Sequence, residues 1–288
     1  MYMSKRIRKQ CTTKKVKKSN FLALMVRCKN EPYVSEFVNY YLKQGVDKIY
    51  IIDDDSDKDI YKNVDKKVKV EIIHSDKPPD NMENCKELYK QLQHTYEWLI
   101  MVDMDEYITT KKHLHRTIRD ELKSTFKDCM CIKIPWVMMS CNSVQHNPTS
   151  LLKTNVYRWN HDKKHVNKIT NEPKFRCRYN KIEVKCIFKP RFFDDIFDHH
   201  PKKPNCHVKI VEGVQNTEQP LDPFYQKLRE KDINEGYLLC YHYRIVSIDQ
   251  CLDKIKHNTW YKKYSVDQLM SFDHPEIKDT TLRNKIEK

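Results

Sequence analysis

Asp103, Asp105 and Glu106 place three acids within four positions, directly after the apolar run Trp98-Leu99-Ile100-Met101-Val102. Carboxylates this close together repel one another unless a cation neutralises them, and hard divalent cations take oxygen ligands. A short continuous apolar run reads as a buried central strand. In open α/β sheets, ligands bind beyond the carboxyl ends of such strands. Residue type and position together point to a metal-diphosphate site. Taken singly, Asp103 could instead cap the next turn. Glu106 reads better as a support for neighbouring side chains than as a ligand.

Other chemistry-bearing groups recur along the chain. Asp53, Asp54, Asp55 and Ser56 follow a second apolar run, Ile49–Ile52, where Asp and Ser could equally serve a turn. Between Phe192 and His200 the chain gathers Asp194, Asp195, Asp198, His199 and His200. The histidines could be a surface pair. His242 ends a late apolar stretch, where a structural role is nearly as well supported as ligation.

The elements that must hold these residues are legible in outline. Phe21–Val26 reads as a first buried strand. Val34, Phe37, Val38, Tyr41 and Leu42 fall at helical spacing. Asn30 is placed to cap that helix, Pro32 suits its first turn and Gly45 ends it. Strands at 49–52, 68–73 and 98–102, with a further helix near 84–96 after Pro78-Pro79, complete a β-α alternation. The fold class expected is α/β, with a mostly parallel central sheet flanked by helices and joined by right-handed crossovers.

Further on, Leu114, Ile118 and Leu122 mark a helix, and 130–135 and 182–188 mark strands. Residues 136–180 lack a clear pattern, and 201–236 read as a mobile polar loop. Ser247 and Gln250 suggest a capping box for a helix with the apolar face Ile248, Cys251, Leu252 and Ile255.

Composition sets outer bounds. At 288 residues the chain suits one large domain, and its three glycines exclude glycine-rich phosphate loops such as GxGxxG. The net charge of +14 overstates the body's basicity, because residues 1–18 carry eight basic side chains and no acid. Residues 1–20 therefore read as a disordered basic tail able to touch an anionic membrane or nucleic acid weakly. Eleven cysteines without a CxxC pair read as reduced, buried thiols. No apolar run reaches membrane-spanning length, and Pro148 disables the Asn147 glycosylation sequon. The expectation is a cytoplasmic protein, at most peripheral to a membrane. The scarcity of Gly and Ala suggests an AT-rich genome, such as that of a large DNA virus.

Four landmarks in order now carry a family resemblance: Lys29-Asn30-Glu31, Ile51-Ile52-Asp53-Asp54-x-Ser56, Val102-Asp103-Met104-Asp105-Glu106-Tyr107 and His242-Tyr243-Arg244-x-x-Ser247. With Lys189-Pro190-Arg191 leading to His199-His200, the chain from 21 to 260 resembles a GT-A fold glycosyltransferase. More narrowly, it resembles glycosyltransferase family 92 and related family-2-like enzymes. The resemblance implies a GT-A domain over 21–260, with 21–135 holding the nucleotide and 136–260 the acceptor. Residues 261–288 would then be a C-terminal helical tail. It implies transfer of a sugar, a hexose such as galactose, from a nucleotide sugar to a glycan, glycoprotein or other hydroxyl acceptor, with inversion. The donor would be a UDP-sugar, and the cation Mn2+, with Mg2+ the alternative.

By the same resemblance, Asn30, Glu31, Asp53 and Asp54 face the nucleotide. Asp105 ligates the metal, while Asp103 lies near the ribose or a metal-bound water. His242 or His200 completes the metal shell. Arg191 and Arg244 are placed to stabilise the diphosphate, and Asp194, Asp195 and Asp198 are the carboxylates able to act as base. Where the family tends to carry a Phe-Gly-Ser-Ser-Gly type segment, this chain has Met138-Met139-Ser140-Cys141-Asn142, so the acceptor is not implied. The competing readings are a metal-dependent phosphoryl or nucleotidyl transferase acting on nucleic acid, and a sugar-binding structural protein without activity.

Overall fold

The computed structural model describes residues 20–64, 69–75, 82–165, 177–178, 181–198, 200–258 and 261–287. The basic segment at 1–18 and His199 lie outside the described residues. The first four apolar runs form β1 (Asn20–Cys28), β2 (Lys48–Asp53), β3 (Val70–His74) and β4 (Tyr96–Asp103). They pair in parallel in the order β3-β2-β1-β4. The chain leaves β1 toward β2 and β3, then returns on the other side of β1 as β4. That reversal is a topological switch point, where the loops after β1 and β4 diverge and leave a crevice.

Strand alternation sorts the core into two layers. Leu22, Leu24 and Val26 of β1 pack with Phe37 and Tyr41 of α1 (Val34–Lys43). Ala23 and Met25 pack on the opposite face with Cys85, Leu88 and Tyr89 of α2 (Glu83–Leu92). The expected cap of α1 is corrected here. Tyr33 occupies the N-cap position, no side chain caps it, and Pro32 precedes the first turn. Gly45 does end the helix, at φ +89, a conformation that costs side-chain-bearing residues steric strain.

β5 (Glu106–Thr110) is an element the sequence did not announce, and all five of its residues are buried. Its hydrogen bonds explain it. The Tyr41 hydroxyl donates to the Glu106 carbonyl and accepts from the Ile108 N–H, both at 2.9 Å. The Tyr40 hydroxyl donates to the Ile108 carbonyl at 2.8 Å. Two adjacent tyrosines of α1 thus serve the backbone of β5.

The second half is more ordered than its polar sequence suggests. α3 (Ile118–Lys123) begins at a Thr117–Asp120 capping box and leaves Leu114 outside it. β6 (Cys131–Ser140) runs well past Pro135, with all ten positions buried. α4 (Leu151–Thr154), β7 (Tyr157–Arg158) and β8 (Cys177–Arg178) follow. β9 (Lys181–Phe188) inserts antiparallel between β4 and β6.

The expected mobile loop at 201–236 is instead ordered by paired strands, one in a separate two-stranded sheet and two on the central sheet. β10 (Phe193–Ile196) and β11 (Pro201–Pro204) form a hairpin, β12 (Ile210–Glu212) pairs with β6, and β13 (Phe224–Gln226) pairs with β9. α5 (Glu230–Glu235) then buries Ile233. β14 (Leu238–His242) lies between β5 and β6.

Ser247 caps α6 (Ile248–His257), but Gln250 accepts from the Val246 N–H rather than closing a capping box. The buried face of α6 runs through Gln250 and Cys251, leaving Leu252 exposed. α7 (Val266–Met270), β15 (Ile277–Lys278) and α8 (Thr281–Ile286) end the described chain. β15 pairs with β7, and the Asp279 carboxylate accepts from Arg158, Lys111 and Tyr241. Residues 277–286 are therefore part of the body and not a tail. Among the described residues eight cysteines are free and buried, whereas Cys206 is disulfide-bonded, which departs from the uniformly reduced thiols expected. Among the described residues no helix is long and apolar enough to cross a membrane.

Candidate active site at the β1–β4 crevice

Backbone pairing brings the site together. β14 runs antiparallel to β5 with His242 opposite Glu106, and the Tyr243 N–H donates to the Asp105 carbonyl at 2.8 Å. His242 is thereby set beside the turn that carries the acids after β4. Asp105, Glu106 and His242 each present a ligand atom, and these atoms lie within 4.8 Å of one another. His242 Nε2 is 3.6 Å from Asp105 Oδ1. Two buried atoms of this group, Glu106 Oε1 and His242 Nδ1, have no hydrogen-bond partner. Unpaired buried polar atoms are costly, and two in one cluster mark a place where a ligand or cation can satisfy them.

Two lysines answer the acids. Lys185 Nζ lies 2.8 Å from Asp103 Oδ2 and 3.3 Å from Glu106 Oε2, and Lys254 Nζ lies 3.6 Å from Asp105 Oδ2. Glu106 also accepts from the Asp103 N–H at 2.7 Å, so it does support its neighbours. Burial raises the Asp105 carboxyl, but His242, Lys254 and Lys185 together hold it well below the usual carboxylate range. Burial pushes Glu106 well above that range despite Lys185, and raises Glu31, which faces Lys254, Asp105 and Asp103, to about 7. Burial also lowers His242, favouring the neutral imidazole that binds metals.

Two carboxylates and one imidazole suit a divalent cation such as Mn2+ better than Mg2+, which favours an all-oxygen set. The unpaired Glu106 Oε1 fits such an ion. Asp103 stands apart from the three, with its carboxylate taken by Lys185 and more than half exposed.

The loops after β1 and β2 are laced together beside this group. The Asn30 N–H donates to Ser56 Oγ at 2.9 Å, and Asn30 Oδ1 accepts from the Asp57 N–H at 2.7 Å. Asn30 adopts φ 51, and with its Oδ1 engaged three positions ahead of the Tyr33 N-cap it does not cap α1. Asp53 is occupied by Tyr61, Ser56 and His74. Burial raises its carboxyl, and those hydrogen bonds outweigh the burial and lower it. Asp54 takes the Arg27 guanidinium at 2.7 Å. Both acids shape the loop, and their side chains are already spent.

The remaining sequence-derived residues divide by position. Asp198 lines a small cleft with Arg27, Cys85, Met101 and Asp103, and its carbonyl accepts from Lys185 at 3.5 Å. Arg244 lies two positions after His242; its carbonyl accepts from Lys254, and its guanidinium packs over Phe272 with the buried Nε lacking a hydrogen-bond partner.

Four residues are not brought to the acids. β9 runs antiparallel to β4, with Phe188 opposite Leu99, so Arg191 emerges at the amino ends of the parallel strands. There it packs over Phe192. Asp194 bonds Asn205, and Asp195 pairs with Lys203 and Lys86 along α2. His200 faces Lys202, Asp222 and Lys133 instead of Asp105, and burial lowers its imidazole.

Lys185 and Lys254 were missed from the sequence. A lysine flanked by Val184 and Cys186 inside an apolar strand was the available signal for the first. For the second it was a lysine three residues after buried Cys251, on the same helical face.

No protein-family model matches the chain, and no curated protein matches it. Among solved structures, residues 1–349 of S. aureus TarS align with TM-score 0.38 and 14% identity, over 88% of this chain and 70% of that one. The 4-diphosphocytidyl-2C-methyl-D-erythritol synthase of Anaerococcus prevotii aligns with TM-score 0.35 and 11% identity, over 74% and 95%. HddC of Yersinia pseudotuberculosis aligns with TM-score 0.38 and 10% identity, over 75% and 97%. At such identities and scores these are likenesses of shape and assign no substrate.

Proposed function

We propose that the chain is a metal-dependent glycosyltransferase of the GT-A kind, using a nucleotide sugar, with UDP-sugars first in line, and a hydroxyl acceptor. The observation that carries this reading is the Asp105–Glu106–His242 donor set at the crevice between β1 and β4, whose members include two buried polar atoms without hydrogen bonds, Glu106 Oε1 and His242 Nδ1. Asp105, Glu106 and His242 would hold the cation, which supplies Lewis-acid stabilisation of a diphosphate leaving group.

The chain's own residues do the rest. The acceptor oxygen attacks the anomeric carbon, the bond from that carbon to the diphosphate oxygen breaks, and the nucleoside diphosphate departs. Lys254 stands next to Asp105 and is placed to bear the charge that develops on the diphosphate. The acceptor's proton must go to a carboxylate. Asp198 is the one of the three hairpin acids at the cleft beside Asp103. Glu31, raised to about 7, can also exchange a proton near neutral pH. Lys185 fixes Asp103 and Glu106, and the laced loops carrying Asn30 and Ser56 form a wall for the nucleoside.

A thermal-shift screen of nucleotide sugars with and without Mn2+ tests the reading, because a ligand that binds only the folded state raises its apparent stability. Stabilisation by at least one nucleotide sugar, larger with Mn2+ than without, is expected. No response to any nucleoside diphosphate or nucleotide sugar overturns it. A response confined to nucleic acid and nucleoside triphosphates would point to nucleotidyl transfer instead.

A further inference from the structure

Lys254 is the unusual member of the site. It belongs to α6, distant in sequence from every acid it meets, and only 13% of its side chain is exposed. Its Nζ donates to the Arg244 carbonyl at 3.0 Å and lies 3.6 Å from Asp105 Oδ2. Glu31 faces the same ammonium. Asp105 is thus shared: Oδ1 is turned to His242 and Oδ2 to Lys254. A buried ammonium is tolerated only when acids surround it, and these acids would otherwise be left unpaired.

A divalent cation among Asp105, Glu106 and His242 would stand within a few ångströms of that ammonium. Like charges at such a separation in a partly desolvated site repel substantially. We propose that Lys254 is a resident counter-cation of Asp105, which resists the divalent ion in the empty site and is transferred to the diphosphate when metal and nucleotide bind together. This rests on reading Asp105, Glu106 and His242 as the cation ligands. The four-carbon stem of lysine permits the shift without moving α6. The consequence is coupling: metal and nucleoside diphosphate each bind better with the other present, and the coupling is reciprocal.

Calorimetric titration of MnCl2 and of UDP into wild type, Lys254→Met and Lys254→Arg tests this. Methionine keeps the apolar stem and removes the charge, while arginine keeps the charge. Lys254→Met is expected to bind Mn2+ alone about tenfold tighter than wild type, and to bind UDP in saturating Mn2+ several-fold more weakly. Lys254→Arg should stay near wild type in Mn2+ affinity. Unchanged or weaker Mn2+ binding by Lys254→Met overturns the proposal, and so does unchanged UDP binding. If wild type and both variants bind no Mn2+ at all, the metal-site reading falls together with it. Equal Mn2+ binding by all three overturns the counter-cation role alone.

Discussion

Single side chains in this protein show how burial decides chemistry. His161 is buried, its Nε2 accepts from the Met138 N–H at 3.1 Å, and burial together with Arg158 and His165 lowers it to about 3. The unfolded chain takes up that proton near the ordinary value of about 6.5. The folded value is depressed, so the contribution to stability is complete above that value and is lost as the pH falls from there toward 3. The stability difference between wild type and His161→Gln should therefore shrink as the pH is lowered from about 7 to about 4. Urea melts at several pH values measure it, and a gap that stays constant or widens contradicts the assignment. The acids at the crevice follow the same logic with a different outcome. His242, Lys254 and Lys185 keep Asp105 charged, while burial drives Glu106 and Glu31 toward their protonated forms.

At the scale of elements, Gly45 is the sharpest case. It sits at φ +89, and a Cβ placed there would come within 2.7 Å of Arg119 Cβ. Arg119 in turn donates to the Gly45 carbonyl at 2.7 Å and pairs with Asp47, tying α3 to the end of α1. Gly45→Ala should cost about 1–2 kcal/mol from the left-handed backbone alone, more if Arg119 cannot move, read as a lower urea midpoint. An unchanged midpoint would contradict that packing.

The same comparison explains what sequence could and could not deliver. The parallel strands were legible because buried on both faces they read as unbroken apolar runs, and Gly45 was legible because its conformation excludes other residues. β5 was hidden because its hydrogen-bond partners, Tyr40 and Tyr41, lie more than sixty positions away. β9 looked like one more strand, but nothing in its sequence announced an antiparallel insertion. That single reversal sends Arg191, Asp194 and Asp195 away from the acids and brings Lys185 to them. The segment at 201–236 read as loop because its buried residues, such as Val211, Val214 and Leu228, are scattered among polar ones.

Over the whole molecule, the order β3-β2-β1-β4 creates a crevice, and everything chemically notable gathers on its rim. The late chain closes that rim from the far side. β14 delivers His242, α6 delivers Lys254, and the buried Arg158–Asp279–Lys111 network holds residues 277–286 against β7 and β14. The site therefore depends on residues from both halves of the chain, and its central claim concerns one of them. Asp105 is the ligand shared by His242 and Lys254, so Asp105→Ala in a chain shown to be folded by circular dichroism is the most direct test. Mn2+-dependent turnover of the nucleotide-sugar donor identified by thermal shift should be abolished. Full donor turnover by that variant would place the cation site elsewhere and contradict the account.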